Sequence, residues 1–334
     1  MEAGAISEPR GFAPQARELA GKYPARTALV IVGLMALALV VTEGLHDTAQ
    51  TSLNGVSYGA IYALGAVGLT LVYGILKLTN FAHGDFLTFG AYMAFLVNVT
   101  WGGPFVLGIL LAVVGTASLG LLLERVMWKP MRARGAGMLQ LLLMSIGLAL
   151  VLRNVIQFIW GSELRSLDVD VFSTVSFLGL RIGRTELIVM VVGIAVLLVV
   201  GLMLRYSHLG KQMRALSDSV DLAETSGIDT TRVITYTWLL AGGLAGLAGA
   251  LIAAITNVKP ELGFELLLPI FAVVVLGGIG NAFGALSAGL ILGLVIEWST
   301  LLIDARWKLA IGFVVLILAL TIRPQGIFGR ARAV

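Results

Sequence analysis

Residues 187–206 read LIVMVVGIAVLLVVGLMLRY, and Arg205 is the single charged residue among them. An apolar segment of about 20 residues is long enough to cross the hydrocarbon core of a bilayer as an α-helix. A helix that is apolar on all sides has no face to present to water, so it belongs in a membrane or a large core. This stretch therefore predicts a membrane-spanning helix.

The rest of the chain shares this apolar character. Of its 334 residues, 58% are apolar and 13% are charged, whereas soluble domains carry about 45–50% apolar and about 25% charged residues. This composition excludes a soluble globule, a disordered chain, and a collagen-like or coiled-coil protein. No cysteine occurs, which excludes a disulfide framework and a cysteine nucleophile.

Nine further apolar segments extend the prediction to an all-α polytopic membrane protein with about ten spans (8–10). They are 27–42, 53–76, 86–100, 104–123, 138–160, 233–256, 266–280, 282–303 and 307–322. The basic residues before the first segment are also typical of a signal peptide. Because the apolar run continues past the A-x-A match of Ala36 and Ala38, an uncleaved first span is the preferred interpretation.

The distribution of charge predicts the orientation. With ten spans and a cytoplasmic N-terminus, 16 of the 23 basic residues lie in cytoplasmic segments, six lie outside, and Arg153 lies within a span. This bias follows the positive-inside rule, by which cytoplasmic loops are rich in Lys and Arg. The predicted organisation is a polar cytoplasmic extension (1–26), a transmembrane domain (27–322) and a cytoplasmic tail (323–334).

Three loops of the transmembrane domain are long enough to have functions of their own, and one of them, 124–137, carries four basic residues and one acid. Loop 207–232 is predicted to be cytoplasmic and carries charges of both signs. Loop 161–186 is predicted to be periplasmic, and its polar and apolar residues roughly alternate from Asp168 to Ile182. Such alternation predicts short strands or an interfacial element. This outer loop is either a passive cover or a docking surface for an extracytoplasmic partner.

A cluster of glycines predicts a helix break near residues 276–284. Gly277, Gly278 and Gly280 lie within four residues, and each glycine in a helix interior costs about 1 kcal/mol relative to alanine. An uninterrupted helix is therefore unfavourable here. Discontinuous helices are tolerated at membrane depth where they line a cavity or are buried in protein.

A polar cluster predicts a second broken or re-entrant region, near residues 77–86. Asn80, His83 and Asp85 lie within six residues between two apolar segments. They form either a polar turn, with Asn80 or Asp85 as a helix cap, or a hinge beside a translocation pathway. Both interpretations stay open at this point.

Polar residues inside the spans suggest where a substrate would pass. Asn54, Ser57, Tyr58 and Tyr62 follow helical spacing and form a stripe that serves either inter-helix hydrogen bonding or substrate passage. The candidate substrate-pathway residues are Asn54, Tyr58, Tyr62, Asn80, His83 and Asp85. Arg153 and Glu297 are ionisable and lie well inside predicted spans, so each needs a partner. One possible arrangement pairs them with each other.

Catalytic and nucleotide-binding motifs are absent from the sequence. It contains no G-x-x-x-x-G-K-[ST] phosphate loop, no H-E-x-x-H zinc motif and no G-x-S-x-G nucleophile elbow. We therefore expect no enzymatic activity, no metal and no cofactor bound by this chain. A transport role is the default for a polytopic chain of this kind.

Several motifs are similar to those of one transporter family. They are Asn54-Gly55, the run NFAHGD at 80–85, Gly90-Ala91-Tyr92, LGKQMRA at 209–215, FAVVVLGGIG at 271–280 and RPQGIFG at 323–329. The chain resembles, over about residues 50–330, the LivH-type permeases, which are membrane subunits of ABC importers for branched-chain amino acids. Asp85 stands where the family usually has glutamate, and the segment before residue 50 is an addition.

The resemblance implies a permease that imports branched-chain or other neutral amino acids across the inner (cytoplasmic) membrane of a bacterium. It also implies two cytoplasmic ATPase subunits that use ATP and Mg, a second LivM-like permease subunit, and a periplasmic substrate-binding protein; no nucleic acid is involved. The alternatives are a permease of the same type for urea or short amides, and a stand-alone secondary carrier. Sparse intramembrane acids argue against the carrier.

The resemblance further implies that loop 207–232 is an ATPase coupling loop, with a short helix that inserts into a cleft on an ATPase. The residues that match the family there are Gly210, Lys211, Arg214, Ala215, Ala223, Gly227 and Ile228. Met213, Leu216 and Leu222 would supply apolar contact, and the charged residues would form a polar rim.

Overall fold

The computed structural model describes residues 24–177, 179–323 and 325–327. Most of the predicted N-terminal extension (1–26) and C-terminal tail (323–334) lies outside these ranges. Within them the chain folds into thirteen α-helices and one short β-hairpin. The all-α architecture predicted for the membrane domain is confirmed.

The helices follow one another along the chain with short connections, except that the hairpin lies in a long connection between α6 and α7. They are α1 (Pro24–Thr42), α2 (Leu45–Leu76), α3 (His83–Phe95), α4 (Phe105–Leu123), α5 (Lys129–Ala133), α6 (Met138–Trp160), α7 (Arg184–Tyr206), α8 (His208–Asp218), α9 (Val220–Thr225), α10 (Thr230–Ile255), α11 (Leu262–Gly277), α12 (Ala282–Ser299) and α13 (Lys308–Ile322). π-Helical turns extend α3 over Leu96–Thr100 and α4 over Glu124–Trp128, and a 3₁₀ turn, Ala305–Trp307, precedes α13.

Each of the ten predicted apolar segments coincides with one of these helices. Among the described residues, six helices are long and apolar enough to cross a membrane: Leu45–Leu76, Phe105–Ala133, Met138–Trp160, Arg184–Tyr206, Thr230–Ile255 and Ala282–Ser299. Thr27–Thr42 and Leu262–Gly277 are shorter apolar helices. A multi-pass membrane protein follows from this, while the total of ten spans and the cytoplasmic placement of both termini stay predictions.

Helices α2 and α10 form the centre of the bundle. Their most apolar windows are 89% and 83% buried, whereas those of α4, α6 and α7 are 22–28% buried. Glycines bring the central helices into backbone contact with their neighbours, since a methyl group at Gly59 of α2 would lie 2.9 Å from the carbonyl oxygen of Gly289 in α12. Small residues permit this close approach. The apolar faces of the outer helices remain available to lipid or partner subunits.

The predicted break near residues 77–86 is present and turns the chain back into the bundle. Helix α2 ends at Leu76 and α3 begins at His83, whose Nε2 lies 2.8 Å from the carbonyl oxygen of Gly65. Gly65 precedes Leu76 by 11 residues, or about 16 Å at 1.5 Å per residue. Residues 77–82 therefore run back along α2, and α3 starts in the interior of the protein.

The predicted glycine break separates α11 from α12. Gly278 and Gly280 have φ angles of 91° and 87°, a left-handed conformation that only glycine adopts without strain. Gly277 is needed for a different reason, because a methyl group there would overlap the backbone of Gly284. The Asn281 side chain then accepts a hydrogen bond from the Gly284 amide at 3.1 Å and caps α12.

The alternating sequence in loop 161–186 forms the hairpin. Strands β1 (Thr174–Phe177) and β2 (Leu180–Gly183) pair antiparallel, with Thr174 opposite Gly183. The prediction of short strands is therefore confirmed. The side chain of Gln50, near the start of α2, exchanges two hydrogen bonds of 2.6 and 2.8 Å with the backbone of Arg181. These bonds hold the hairpin at the end of the bundle where α2 begins.

Candidate functional site

A cavity of about 410 Å³ opens between α2, α10, α11, α12 and α13. Its wall is formed by Tyr58, Tyr62, Leu164, Ile252, Thr256, Asn257, Lys259, Leu262, Glu265, Leu266, Pro269, Ile296, Lys308 and Leu309. The cavity therefore lies at the end of the bundle where α2 begins and α10 ends. Loop 207–232 lies at the other end, because Ser217 contacts Lys77 just beyond the end of α2.

Two ion pairs border this cavity. Lys308 Nζ lies 2.7 and 2.9 Å from the two carboxylate oxygens of Glu297, and Lys259 Nζ lies 2.7 Å from Oε1 of Glu265. The side chain of Glu297 is 4% exposed, whereas those of Lys259 and Glu265 are 29% and 49% exposed. The carboxylate of the first pair is thus buried, whereas its partner Lys308 is 36% exposed and lines the cavity. Both members of the second pair are accessible from the cavity.

Arg153 and Glu297 do not take the arrangement in which they pair with each other, because each has a different partner. Glu297 binds Lys308, which begins the helix that follows it in the chain. Arg153 Nε lies instead 3.2 Å from Oδ1 of the buried Asp85, and its guanidinium carbon lies 4.4 Å from the centre of the Phe264 ring. This arrangement joins α3, α6 and α11, and it supplies each buried charge with a partner.

The structure divides the six predicted pathway residues into two groups. Tyr58 and Tyr62 line the cavity. The polar residues of the break have structural partners instead: Asn80 Oδ1 accepts from the Ala82 amide at 3.1 Å, His83 contacts Gly65, and Asp85 binds Arg153. Asn54 is partly buried and is not among the lining residues. A role in substrate passage stays a prediction for all six.

Sequence reasoning missed the charged side chains of the cavity. Lys259 and Lys308 were counted only among the six basic residues placed outside the membrane, and Glu265 was not considered as a candidate. Their spacing along the chain carries no signal for a shared cavity, because α12 separates α11 from α13. Within the described residues, no three His, Cys, Asp or Glu side chains are grouped so as to hold a metal ion.

Helices α8 and α9 form a surface arm at the opposite end of the bundle. Ser207 and Ser219 cap the two helices by accepting hydrogen bonds from the amides of Gly210, at 3.0 Å, and Leu222, at 3.3 Å. The arm therefore contains two short helices, of 11 and 6 residues, where one was predicted for loop 207–232.

Two of the three apolar residues predicted to contact an ATPase are buried within this chain. Met213 and Leu216 are 3% and 1% exposed, so they pack inside this chain and are unavailable to a partner. Leu222 is 68% exposed. A methyl group at Gly210 would overlap the backbone of Leu204, so this glycine permits α8 to pack against the end of α7.

The remaining residues of the predicted coupling set differ in accessibility. Ala223 is buried, Ala215 and Ile228 are partly buried, and Lys211, Arg214 and Gly227 are exposed. Arg214 donates to the carbonyl oxygen of Leu204, so it also anchors α8. Val220, Leu222 and the exposed charged residues are therefore the part of the arm that a partner would reach.

Residues 51–320 match the family described as branched-chain amino acid transport system / permease component. The chain belongs to this family. It is 32% identical over 296 residues to the high-affinity branched-chain amino acid transport system permease protein LivH of Escherichia coli K12, covering 84% of this chain and 95% of that protein. The resemblance to LivH-type permeases is confirmed.

Other relatives agree with this assignment. BraD of Pseudomonas aeruginosa, a permease protein of the same kind of transport system, is 32% identical over 300 residues, covering 86% of this chain and 97% of BraD. LivM of E. coli K12 is 26% identical over 337 residues, covering 91% of this chain and 75% of LivM.

Lys77 connects the arm of this permease to the break at its centre. Its Nζ donates to the carbonyl oxygens of Gly74 at 2.7 Å and Ser217 at 3.0 Å, near the C-terminal ends of α2 and α8. A cation is favourable at both places because helix C-termini carry partial negative charge. Lys77 also has a φ angle of 51°, which is strained for a residue other than glycine.

Substitutions of Lys77 should separate these two effects. Lys77→Ala loses the side-chain hydrogen bonds and keeps the strained backbone, whereas Lys77→Gly loses the same bonds and relieves the strain. We expect both variants to be less stable than wild type, and the alanine variant to be less stable than the glycine variant by about 1 kcal/mol. Thermal unfolding of the detergent-solubilised permease measures the order. An alanine variant as stable as the glycine variant would contradict the assignment of strain.

Proposed function

We propose that this chain is the LivH-like permease subunit of an ABC importer that moves branched-chain or other neutral amino acids inward across the bacterial inner membrane. The observation that carries the proposal is the similarity, over most of both chains, to permease proteins of high-affinity branched-chain amino acid transport systems. The sequence has no phosphate loop, so ATP with Mg would be hydrolysed on two separate ATPase subunits. The permease itself is not an enzyme.

The surface arm is the proposed contact with those ATPase subunits. Exposed Leu222 would enter an apolar cleft, and the exposed charges around it would form a polar rim. The arm is tied to the central helices at two points, since the Thr230 hydroxyl at the start of α10 donates to Glu224 of α9 at 2.8 Å and Lys77 holds Ser217. A movement imposed on the arm would therefore reach both α10 and α2.

The hairpin is the proposed contact with a periplasmic substrate-binding protein. Phe177 of β1 is 72% exposed, and Phe172, two residues before β1, is 92% exposed. The hairpin lies at the same end of the bundle as the cavity. Exposed aromatic side chains are enriched in protein interfaces. A second, LivM-like permease would complete the translocation unit, and similarity to LivM itself supports related subunits of one fold.

The proposed function predicts that Leu222→Ser uncouples transport. Burying a leucine contributes about 1.5–3 kcal/mol, so loss of this contact should weaken ATPase association and ATP-driven leucine uptake about 10-fold or more. Uptake is measured in proteoliposomes that contain the permease pair, the ATPases and the binding protein. The matched control is Leu302→Ser, because Leu302 is 66% exposed and lies between α12 and α13, away from the arm.

Three outcomes of uptake measurements would contradict the proposal in whole or in part. Leucine uptake by this chain alone, driven by an ion gradient, would indicate a secondary carrier. Uptake of urea or acetamide in preference to leucine by the complete complex would indicate a permease for short amides. If the Leu222→Ser variant transports leucine as well as the Leu302→Ser variant does, the arm does not contact the ATPase through Leu222.

A further inference from the structure

Resting on the proposed function, we infer that the cavity between α2, α10, α11, α12 and α13 binds the zwitterionic amino acid, with Lys259 and Glu265 holding its charged groups. The permease would then select its substrate directly, in addition to any selection by a binding protein.

The charges of the Lys259–Glu265 pair are complementary to those of an amino acid. The carboxylate of the substrate would approach the Lys259 ammonium, and the substrate ammonium would approach the Glu265 carboxylate. The pair is partly exposed, at 29% and 49%, and such pairs contribute little to stability. A zwitterion can therefore insert between them at small cost. The Lys308–Glu297 pair offers the substrate only its ammonium, because Glu297 is buried and does not line the cavity.

The remainder of the wall is suited to an aliphatic side chain. Ile252, Leu262, Leu266 and Ile296 line the cavity and are themselves buried, so they form a firm apolar surface. Each methylene that enters such a surface strengthens binding about fourfold. Leucine, with three more carbons than alanine, should therefore bind about 50-fold more tightly than alanine. A charged side chain would lose its hydration against this apolar part of the wall, which disfavours its binding there.

The size of the cavity fits a single small molecule. Its volume of about 410 Å³ is at the lower end of the range for ligand pockets, about 300–1,000 Å³. An amino acid with a few waters fits this space, whereas a peptide does not. Urea and short amides would fit, but they carry neither charge that the Lys259–Glu265 pair recognises.

The test is direct binding of radiolabelled leucine to the purified permease complex in detergent, without a binding protein. We expect saturable binding by wild type, with leucine and isoleucine tighter than valine and valine tighter than alanine. Glu265→Gln should weaken leucine binding about 10-fold or more by removing the ammonium partner. Leu266→Trp should also abolish binding by filling the cavity.

Controls separate loss of the site from loss of the fold. Asp304→Asn breaks another exposed ion pair, with Arg306 at 2.8 Å, outside the cavity, and should bind leucine normally. Glu265→Gln changes a half-exposed side chain and should retain a monodisperse elution profile, even if Leu266→Trp does not. Wild type without saturable leucine binding, or a Glu265→Gln variant that binds as wild type does, would overturn the inference.

Transport distinguishes failure of this inference from failure of the proposed function. If the complete complex imports leucine while the purified permease complex without a binding protein binds none, the proposed function is supported and the cavity is not a binding site. If the complete complex imports no leucine, the proposed function itself fails.

Discussion

Gly263→Ala is expected to be among the most damaging single-methyl additions to this permease. Gly263 lies in the first turn of α11, and its amide donates to Thr88 Oγ1 of α3 at 2.9 Å. A methyl group at this position would overlap the carbonyl carbon and oxygen of Gly84. These are backbone atoms at the start of α3, so they cannot rotate away. The two helices would have to separate.

Separation of α3 from α11 should lower the free energy of unfolding because it disrupts packing and hydrogen bonding. Overpacking of a core typically costs about 1–3 kcal/mol and occasionally more. Here the hydrogen bond to Thr88 is lost in addition, and the neighbouring contact of Arg153 with Phe264 is disturbed. We therefore expect a loss of at least about 3 kcal/mol, a large part of a typical margin of about 5–15 kcal/mol.

The matched control is Gly147→Ala in α6, where nothing lies within 4 Å of an added methyl group. Because alanine is favoured over glycine in a helix interior by about 1 kcal/mol, this variant should be as stable as wild type or more stable. The same chemical change thus has opposite expected signs at two positions. Size-exclusion chromatography after heating measures both. Equal behaviour of the two variants would contradict the close contact between α3 and α11.

Asp85→Ala is the second substitution with a large expected effect. It leaves the Arg153 guanidinium between α3 and α11 without its carboxylate, and removal of one partner of a buried ion pair costs about 3–5 kcal/mol. Arg153→Leu should cost about as much, since it leaves the Asp85 carboxylate buried and unpaired. The thermal midpoint of the solubilised permease should fall in both single variants.

The double variant tests whether the two residues act as one unit. Asp85→Ala combined with Arg153→Leu removes both charges, and replacement of a buried pair by apolar residues is often nearly neutral. We therefore expect the double variant to be more stable than either single variant. If the effects of the two substitutions simply add, the pair has no coupling, and the structural role given to Asp85 is wrong.

Local patterns in the sequence were sufficient to predict the helices and the breaks between them. Ten apolar segments predicted helices that the structure contains, because the length and composition of a segment determine whether it can be buried as a helix. The glycines at 277, 278 and 280 predicted a break because glycine disfavours a helix interior and permits the φ angles found there. Alternation in loop 161–186 predicted short strands or an interfacial element, and two paired strands are present.

Accessibility of the arm could not be predicted in the same way. Met213 and Leu216 are three residues apart and therefore share one face of α8. Periodicity identifies this face as apolar, but it does not say whether the same chain or a partner covers it. In the structure the permease's own helices cover this face, whereas Val220 and Leu222 of α9 are exposed.

The sequence by itself thus determined the family, the helices and the two breaks, since each of these depends on residues that are close together in the chain. Only the tertiary structure decided which charges are partners and which residues share the cavity. Glu297 pairs with Lys308 rather than Arg153, and Tyr58 meets Glu265 across one cavity. These relations depend on how α2, α11, α12 and α13 pack, because residues far apart in the chain become neighbours only when the helices assemble.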